Sequence, residues 1–428
     1  MVPGAGSGLP GSLSAQEPPD PPDLASLFDL GMLVLDTNGD SVPDFVNVAL
    51  ILGDDPSTAV LAAAGEVAAR LGFETMAMDL PLSRAAAGEE VALVIGRAGL
   101  AASGLGSPGI DPASLDSGEG AVAVRQEGGR TWVLVVGGDD DGLRAAARLF
   151  AGVLPRTRTL STAKLNRVRE DLTAALEDGG IAEVDVRLTQ ARARAGQAGV
   201  GRVIAEVAVA DADVGAAEEA LRALAGGDQT PDPDEAPEAE PETEPEAQAE
   251  AEAEAEPDTE DAGEAPRNPL AYPGLESVEA RLTGGPTIRI PGRAPPDRPG
   301  PVAGRPGSGG KDDMDLSNLY TSDGLLGGGL IPDRVDAMLA PGEDGVDGLP
   351  DLAGRLGLES TGLVVPLTES ASAIDGPGSR LTLVLAGVDN PLTQQLADSA
   401  RIDLGALGPG EGLIQVVPEA FGLKPRSW

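Results

Sequence analysis

The chain has 428 residues, a net charge of −40, and neither cysteine nor histidine. This excludes disulfides, thiolate–zinc centres, histidine metal ligands and every nucleophile system that runs through Cys or His. The acidic balance repels DNA, RNA and anionic headgroups, so no nucleic-acid partner is expected.

The length predicts two to four domains. With 59 Gly, 37 Pro and only 2% aromatics, the core must come from Val, Leu, Ile and Ala. Residues 1–23 read as a flexible leader. Its Gly11-Ser12-Leu13-Ser14-Ala15-Gln16 run looks like the small-residue end of a signal peptide, which places the true start upstream. A plain flexible tail is the alternative. No stretch of about 18 apolar residues occurs, so no membrane-spanning segment is expected.

Residues 24–155 alternate strand and helix patterns. Met32 to Leu35 is a short apolar run ended by turn residues, and Phe45 to Leu52 reads as the returning strand. Ser57 caps an Ala-rich helix that stops at Gly72. Val91 to Ile95 is a buried strand, and Gly120 to Val124 and Thr131 to Val136 flank a Gly128-Gly129 hairpin. Asp139-Asp140-Asp141 then caps a helix, since acidic groups satisfy free N–H groups and complement the dipole. Residues 156–226 read as a small α-β-β-α domain: helix Ser161 to Glu177, strands Ala182 to Ala193 and Arg202 to Ala210, helix Val214 to Leu224. Residues 227–315 read as a disordered acidic Pro/Glu/Ala-rich linker. Between Asp228 and Pro266 it holds 17 acidic residues and no basic one. Within the linker only Val278 to Ile290 has strand character.

Residues 316–428 echo the first module. Arg70-Leu71-Gly72 is matched by Arg355-Leu356-Gly357, and Pro81-Leu82 by Pro366-Leu367 at the same distance downstream. Ile110-Asp111 and Gly118-Glu119-Gly120 are matched, with their spacing, by Ile402-Asp403 and Gly410-Glu411-Gly412. Val42-Pro43-Asp44 corresponds to Ile331-Pro332-Asp333, and Leu93 to Gly96 corresponds to Leu383 to Ala386. The predicted class is therefore α/β to α+β: a duplicated small α/β sandwich module, an α-β-β-α segment and a long disordered linker. The second copy lacks the first copy's closing strand and helix, and the chain is expected to continue past Trp428.

Four motifs carry chemistry. Asp36, Asn38, Asp40, Asp44 and Asn47 occupy positions 1, 3, 5, 9 and 12 of a calcium-type loop, where alternating oxygens wrap one Ca²⁺. Against it, Ser41 replaces the usual Gly, Asn47 replaces the bidentate Glu, and the flanks read as strands. A polar hairpin turn is the competing reading, and Ca²⁺ is the one cofactor the sequence raises. Ser161-Thr162-Ala163-Lys164 has the S-x-x-K spacing but lacks the Lys-Thr-Gly partner, so it reads as a helix cap. Glu119 and Glu411 are carboxylates in equivalent Gly-Glu-Gly turns, one per copy, and read as strand-entry turns rather than an acid/base pair. Gly137-Gly138-Asp139-Asp140-Asp141-Gly142 has a phosphate loop's glycines but three carboxylates that would repel a phosphate.

The stretches Val91 to Gly96, Gly118 to Val124 and Trp132 to Phe150, with Leu381 to Leu392 and Gly408 to Val417, carry a resemblance. Their order is similar to that of the non-catalytic N-terminal α/β domain of bacterial glucuronidases and hexosaminidases. It also resembles the periplasmic subunit of bacterial cellulose synthase. The resemblance implies a non-catalytic, extracytoplasmic scaffold or binding protein, periplasmic or secreted, with a polysaccharide or protein partner. The alternative is a set of accessory modules of a larger secreted hydrolase, and a cytoplasmic, salt-adapted protein is a third reading. No catalytic residue of those families maps onto the chain.

Overall fold

The computed structural model describes residues 22–76, 82, 91–152, 162–197, 200–226, 269–293 except 273, 314–342 except 323 and 329–331, 348–374 except 364 and 365, and 382–421 except 419. The class is mixed α/β, as the alternating patterns require. Among the described residues no helix is long and apolar enough to cross a membrane.

The first strands are short. β1 (Val34–Leu35) and β2 (Phe45–Val46) form an antiparallel pair, and β3 (Val48–Ile51) leads into α1 (Thr58–Phe73). The Ser57 hydroxyl caps α1 by accepting from the Val60 N–H. Next come β4 (Val91–Ile95), α2 (Gly96–Ala102), β5 (Glu119–Glu127), β6 (Arg130–Gly137) and α3 (Asp140–Ala151). The α-β-β-α segment supplies α4 (Thr162–Asp178), β7 (Val184–Arg194), β8 (Arg202–Val209) and α5 (Val214–Gly226). Its strands build no sheet of their own: β7 pairs antiparallel with β5.

Within the predicted linker, the stretch given strand character at 278–290 does form strands, and as part of a sheet. Residues 277–291 form a hairpin, β9 (Ser277–Leu282) and β10 (Thr287–Pro291), and β9 pairs parallel with β8. Val278, Ala280, Leu282, Ile288 and Ile290 alternate with charged residues and so bury one face while the other stays polar. The result is one eight-stranded sheet in the order β10-β9-β8-β7-β5-β6-β4-β3. Residues 227–268 lie outside the described residues.

Period-two alternation splits the sheet's side chains between two faces. Val91, Leu93 and Ile95 join Val122, Val124, Val133 and Val135 in the main core under α1, α3, α4 and α5. Ala92, Val94, Ala121, Ala123, Trp132, Leu134 and Val136 face the other way, toward Leu100 of α2. Beyond α2, no helix among the described residues covers that second face over β7–β10.

Residues 316–428 contribute β11 (Leu326–Gly328), β12 (Pro332–Val335), β13 (Met338–Pro341), α6 (Leu349–Leu358), β14 (Leu383–Ala386) and α7 (Pro391–Asp398). β13 and β14 form a two-stranded parallel sheet, as β3 and β4 do within the large one. Then follow a 3-10 turn at 404–406 capped by Asp403 and, at 411–417, a stretch outside any helix or strand. Residues 48–127 run β3, α1, β4, α2, and a 3-10 turn at 112–114 capped by Asp111 before β5.

The two stretches meet through α1 and α6, whose backbones approach closely because small residues line the contact. A Cβ on Gly72 would lie 1.9 Å from the Gly354 carbonyl oxygen, and one on Gly357 would lie 2.0 Å from that of Ala69. Beside this contact Glu66 is fully buried. Its Oε1 accepts from the Leu367 N–H (2.8 Å) and the Thr368 N–H (3.0 Å), while its Oε2 has no partner among the described residues. Burial pushes the Glu66 carboxyl up to about 7, against the pull of those N–H groups and of Arg148. Arg144 and Arg148 of α3 both grip Glu369, at 2.6 and 3.2 Å.

Candidate functional site

A cleft opens on the uncovered face where β5 and β7 part. Their pairing runs from Glu119↔Arg194 to Ala123↔Gln190 and stops there. From that point β5 pairs only with β6, and β7 only with β8. The cause is a bulge in β7 between Leu188 and Gln190, which inserts Thr189 and bends the strand. The Leu188 N–H thereby freed donates to the Asp23 Oδ2 at 3.1 Å. Burial raises the Asp23 carboxyl above its usual range, opposed by the Ala25 and Leu188 N–H groups and by Arg169.

The cleft has a volume of about 420 Å³. Arg125 of β5, Arg187 and Gln190 of β7, Glu206 of β8 and Arg281 of β9 supply its polar lining, and Pro22, Pro108 and Gly109 supply its rim. The cross-strand register makes this cluster, since Arg187 faces Glu206 and Glu206 faces Arg281. Three guanidiniums line the cleft, and of these Arg187 and Arg281 are shared with neighbouring carboxylates while Arg125 is not. Arg187 lies 3.1 Å from Asp185 and 3.9 Å from Glu206, and Arg281 lies 3.8 Å from Glu279.

Two donors stand unused. Gln190 is 5% exposed, and its Nε2 has no partner among the described residues. The Arg125 guanidinium makes no hydrogen bond or ion pair among them, and its Nε is buried. Gly109 is what admits Arg125: its φ is +70°, and a Cβ there would lie 2.2 Å from the guanidinium Nη1. A buried donor without a partner costs about 1–3 kcal/mol, so such a cleft favours any ligand that supplies acceptors. Guanidinium forks match carboxylate, sulfate and phosphate geometry.

The structure does not gather the predicted calcium ligands. Asp36 Oδ1 and Oδ2 accept from the backbone N–H groups of Asn38, Gly39, Asp40 and Ser41. Slight desolvation is outweighed by these N–H groups, which hold the Asp36 carboxyl below its usual range. Asn38 caps the Asp40 N–H, Asp40 caps the Val42 N–H, and Asp44 accepts from the Thr37 N–H and hydroxyl. Asn47 is buried at 3% exposure and donates to the Met32 carbonyl, apart from the exposed turn. The oxygens therefore build the turn itself, and no group of three or more acidic residues placed to hold a metal occurs among the described residues.

The other motifs close turns. Glu119 Oε2 accepts from the Asp116 N–H at 3.0 Å, and Glu411 Oε2 accepts from the Gly408 N–H at 2.9 Å. Asp139 accepts from the Ser117 hydroxyl and from the Gly142 and Gly118 N–H groups, in that order of effect, which lowers its carboxyl pKa. Ser161 lies outside the described residues, and Lys164 falls in the first turn of α4.

Sequence reasoning missed the arginine cleft, because net charge averages over the whole chain. The available trace was Arg187 and Arg192 within the predicted strand Ala182 to Ala193. In comparisons with protein-family models, curated proteins and solved structures, no match to this chain was found.

Proposed function

We propose that the protein is a non-catalytic, extracytoplasmic binding and scaffold protein built on a duplicated α/β module, and that its arginine cleft holds a small carboxylated sugar. The observation that carries this reading is the convergence of Arg125, Arg187, Arg281 and Gln190 on one cleft. The volume suits one or two sugar rings, within the range of about 300–1,000 Å³ usual for small-ligand sites. A uronate presents a planar carboxylate for a guanidinium fork and hydroxyls for Gln190, Thr189 and Glu206. The acidic remainder of the chain opposes polyanions at long range, but that field is screened beyond about 8 Å at physiological salt. A small ligand inside the cleft senses the near guanidiniums instead.

The test is calorimetric titration of the full chain with glucuronate, glucose and inorganic sulfate. Glucuronate is expected to bind, glucose is not, and Arg125→Ala and Gln190→Ala should each weaken glucuronate about tenfold, or roughly 1.4 kcal/mol. Absence of glucuronate heat up to about 10 mM, or equal binding of glucose, refutes the assignment.

A further inference from the structure

The arginine cleft exists because β7 leaves β5, and one carboxylate marks the point of departure. The β5–β7 ladder ends at Ala123↔Gln190. Two residues further in the same register, Leu188 would face Arg125. Instead the Leu188 N–H donates to Asp23 Oδ2 at 3.1 Å, and Arg125 lines the cleft. A backbone N–H is an obligatory donor, so a strand that parts from its neighbour needs another acceptor there. Asp23 supplies it from outside the sheet.

Asp23 is itself held from several sides. Its Oδ1 accepts from the Ala25 N–H at 2.6 Å, which caps a short 3-10 turn, Leu24–Ser26. Its backbone carbonyl accepts from the Ser26 N–H and hydroxyl, each at 3.2 Å. Leu24, Ala25 and Leu27 are buried in the main core and anchor that turn. Arg169 of α4 lies 3.5 Å from Oδ2 and balances the charge of a buried carboxylate. On the strand side, Leu188 is fully buried in the same core, and the residues to either side of it, Arg187 and Thr189, both line the cleft. Pro22, directly before Asp23, stands on the cleft rim.

We propose that Asp23 is a positioning residue for the arginine cleft: its carboxylate takes the place of the β5 backbone as the partner of Leu188 and so fixes Arg187 and Thr189 where a ligand meets them. Asp23 touches no ligand. It acts through β7, in a chain of contacts that runs from Arg169 through Asp23 and Leu188 to the cleft wall. An ionised carboxylate is a stronger acceptor than the peptide carbonyl it replaces. Unlike a strand, it satisfies the donor without closing the gap beside it. The effect on ligand affinity rests on the uronate reading above, whereas the hold on β7 does not.

Hydrogen exchange of backbone amides in the full chain, without ligand, reads the hold on β7. Asp23→Ala should speed exchange at Leu188 by about tenfold or more and leave the amides of β4 unchanged. Asp23→Asn keeps an oxygen acceptor and should restore most of the protection. Calorimetric titration of the same variants with glucuronate reads the cleft. Asp23→Ala should bind about tenfold more weakly than the parent, and Asp23→Asn within about threefold of it. Ser57→Ala removes the α1 cap, a comparable loss of stability at another place, and should change neither readout. The proposal is overturned if Leu188 exchanges at the parent rate in Asp23→Ala, if β4 speeds up equally, or if Asp23→Ala loses no more affinity than Ser57→Ala. Absence of glucuronate heat with the parent refutes the sugar assignment instead, and the exchange measurement then decides the role of Asp23 by itself.

Discussion

Replacing Glu66 by glutamine tests how α1 holds the segment around Leu367 and Thr368. In the folded protein the Glu66 carboxyl is raised from an ordinary 4.5 to about 7, with burial as the leading cause. The folded state therefore keeps a proton that the unfolded state releases between those values. Stability from this group is full below about 4.5, falls as pH rises, and is lost once pH passes about 7. The difference is worth on the order of 3 kcal/mol at full development. The glutamine side chain cannot titrate, and its oxygen can still accept from the Leu367 and Thr368 N–H groups. Urea unfolding at a series of pH values from about 4.5 to 8 should show parent stability falling relative to Glu66→Gln by that amount. Subtracting the variant removes the background of other carboxylates. Parallel pH profiles for the two proteins would refute the burial of an ionisable group at this contact, whatever the offset between them. An offset is expected, because the glutamine amide nitrogen takes the place of an oxygen that has no partner among the described residues.

Two further substitutions probe the packing. Gly72→Ala should destabilise by about 2 kcal/mol in urea unfolding, despite roughly 1 kcal/mol of improved helix propensity, because its Cβ meets the Gly354 carbonyl; a stabilised variant would disprove the close α1–α6 approach. Asp139→Ala removes the α3 cap and the link to Gly118 and should cost about 1–2 kcal/mol, and an unchanged denaturation midpoint would show the cap to be dispensable.

Local chemistry was legible in the sequence. The Ser57 and Asp139 caps and the Gly128-Gly129 hairpin all follow from neighbours a few residues apart. What escaped was long-range. β9 pairs parallel with β8, and nothing within Ser277–Leu282 states which strand it will join. Nothing in the Ala-rich helix pattern marks Glu66, whose partners lie some 300 positions away. The arginine cleft depends on a one-residue bulge at Thr189, which decides both where β5 and β7 separate and which side chains face the gap. The calcium-type pattern shows the converse: the spacing was real, but the oxygens serve the turn's own backbone.

The parallel pairing of β8 with β9 alters what the acidic stretch is. Its upstream end leaves α5 at Gly226 and its downstream end re-enters the same sheet at Ser277. A segment anchored twice in one sheet is an excursion from a single folded unit, not a tether between two. Its length therefore bears only logarithmically on folding, with each doubling costing about 0.6 kcal/mol. A single backbone cut within it would leave two polypeptides that share one sheet, held together by the β8–β9 ladder and the packing of α5 on β10.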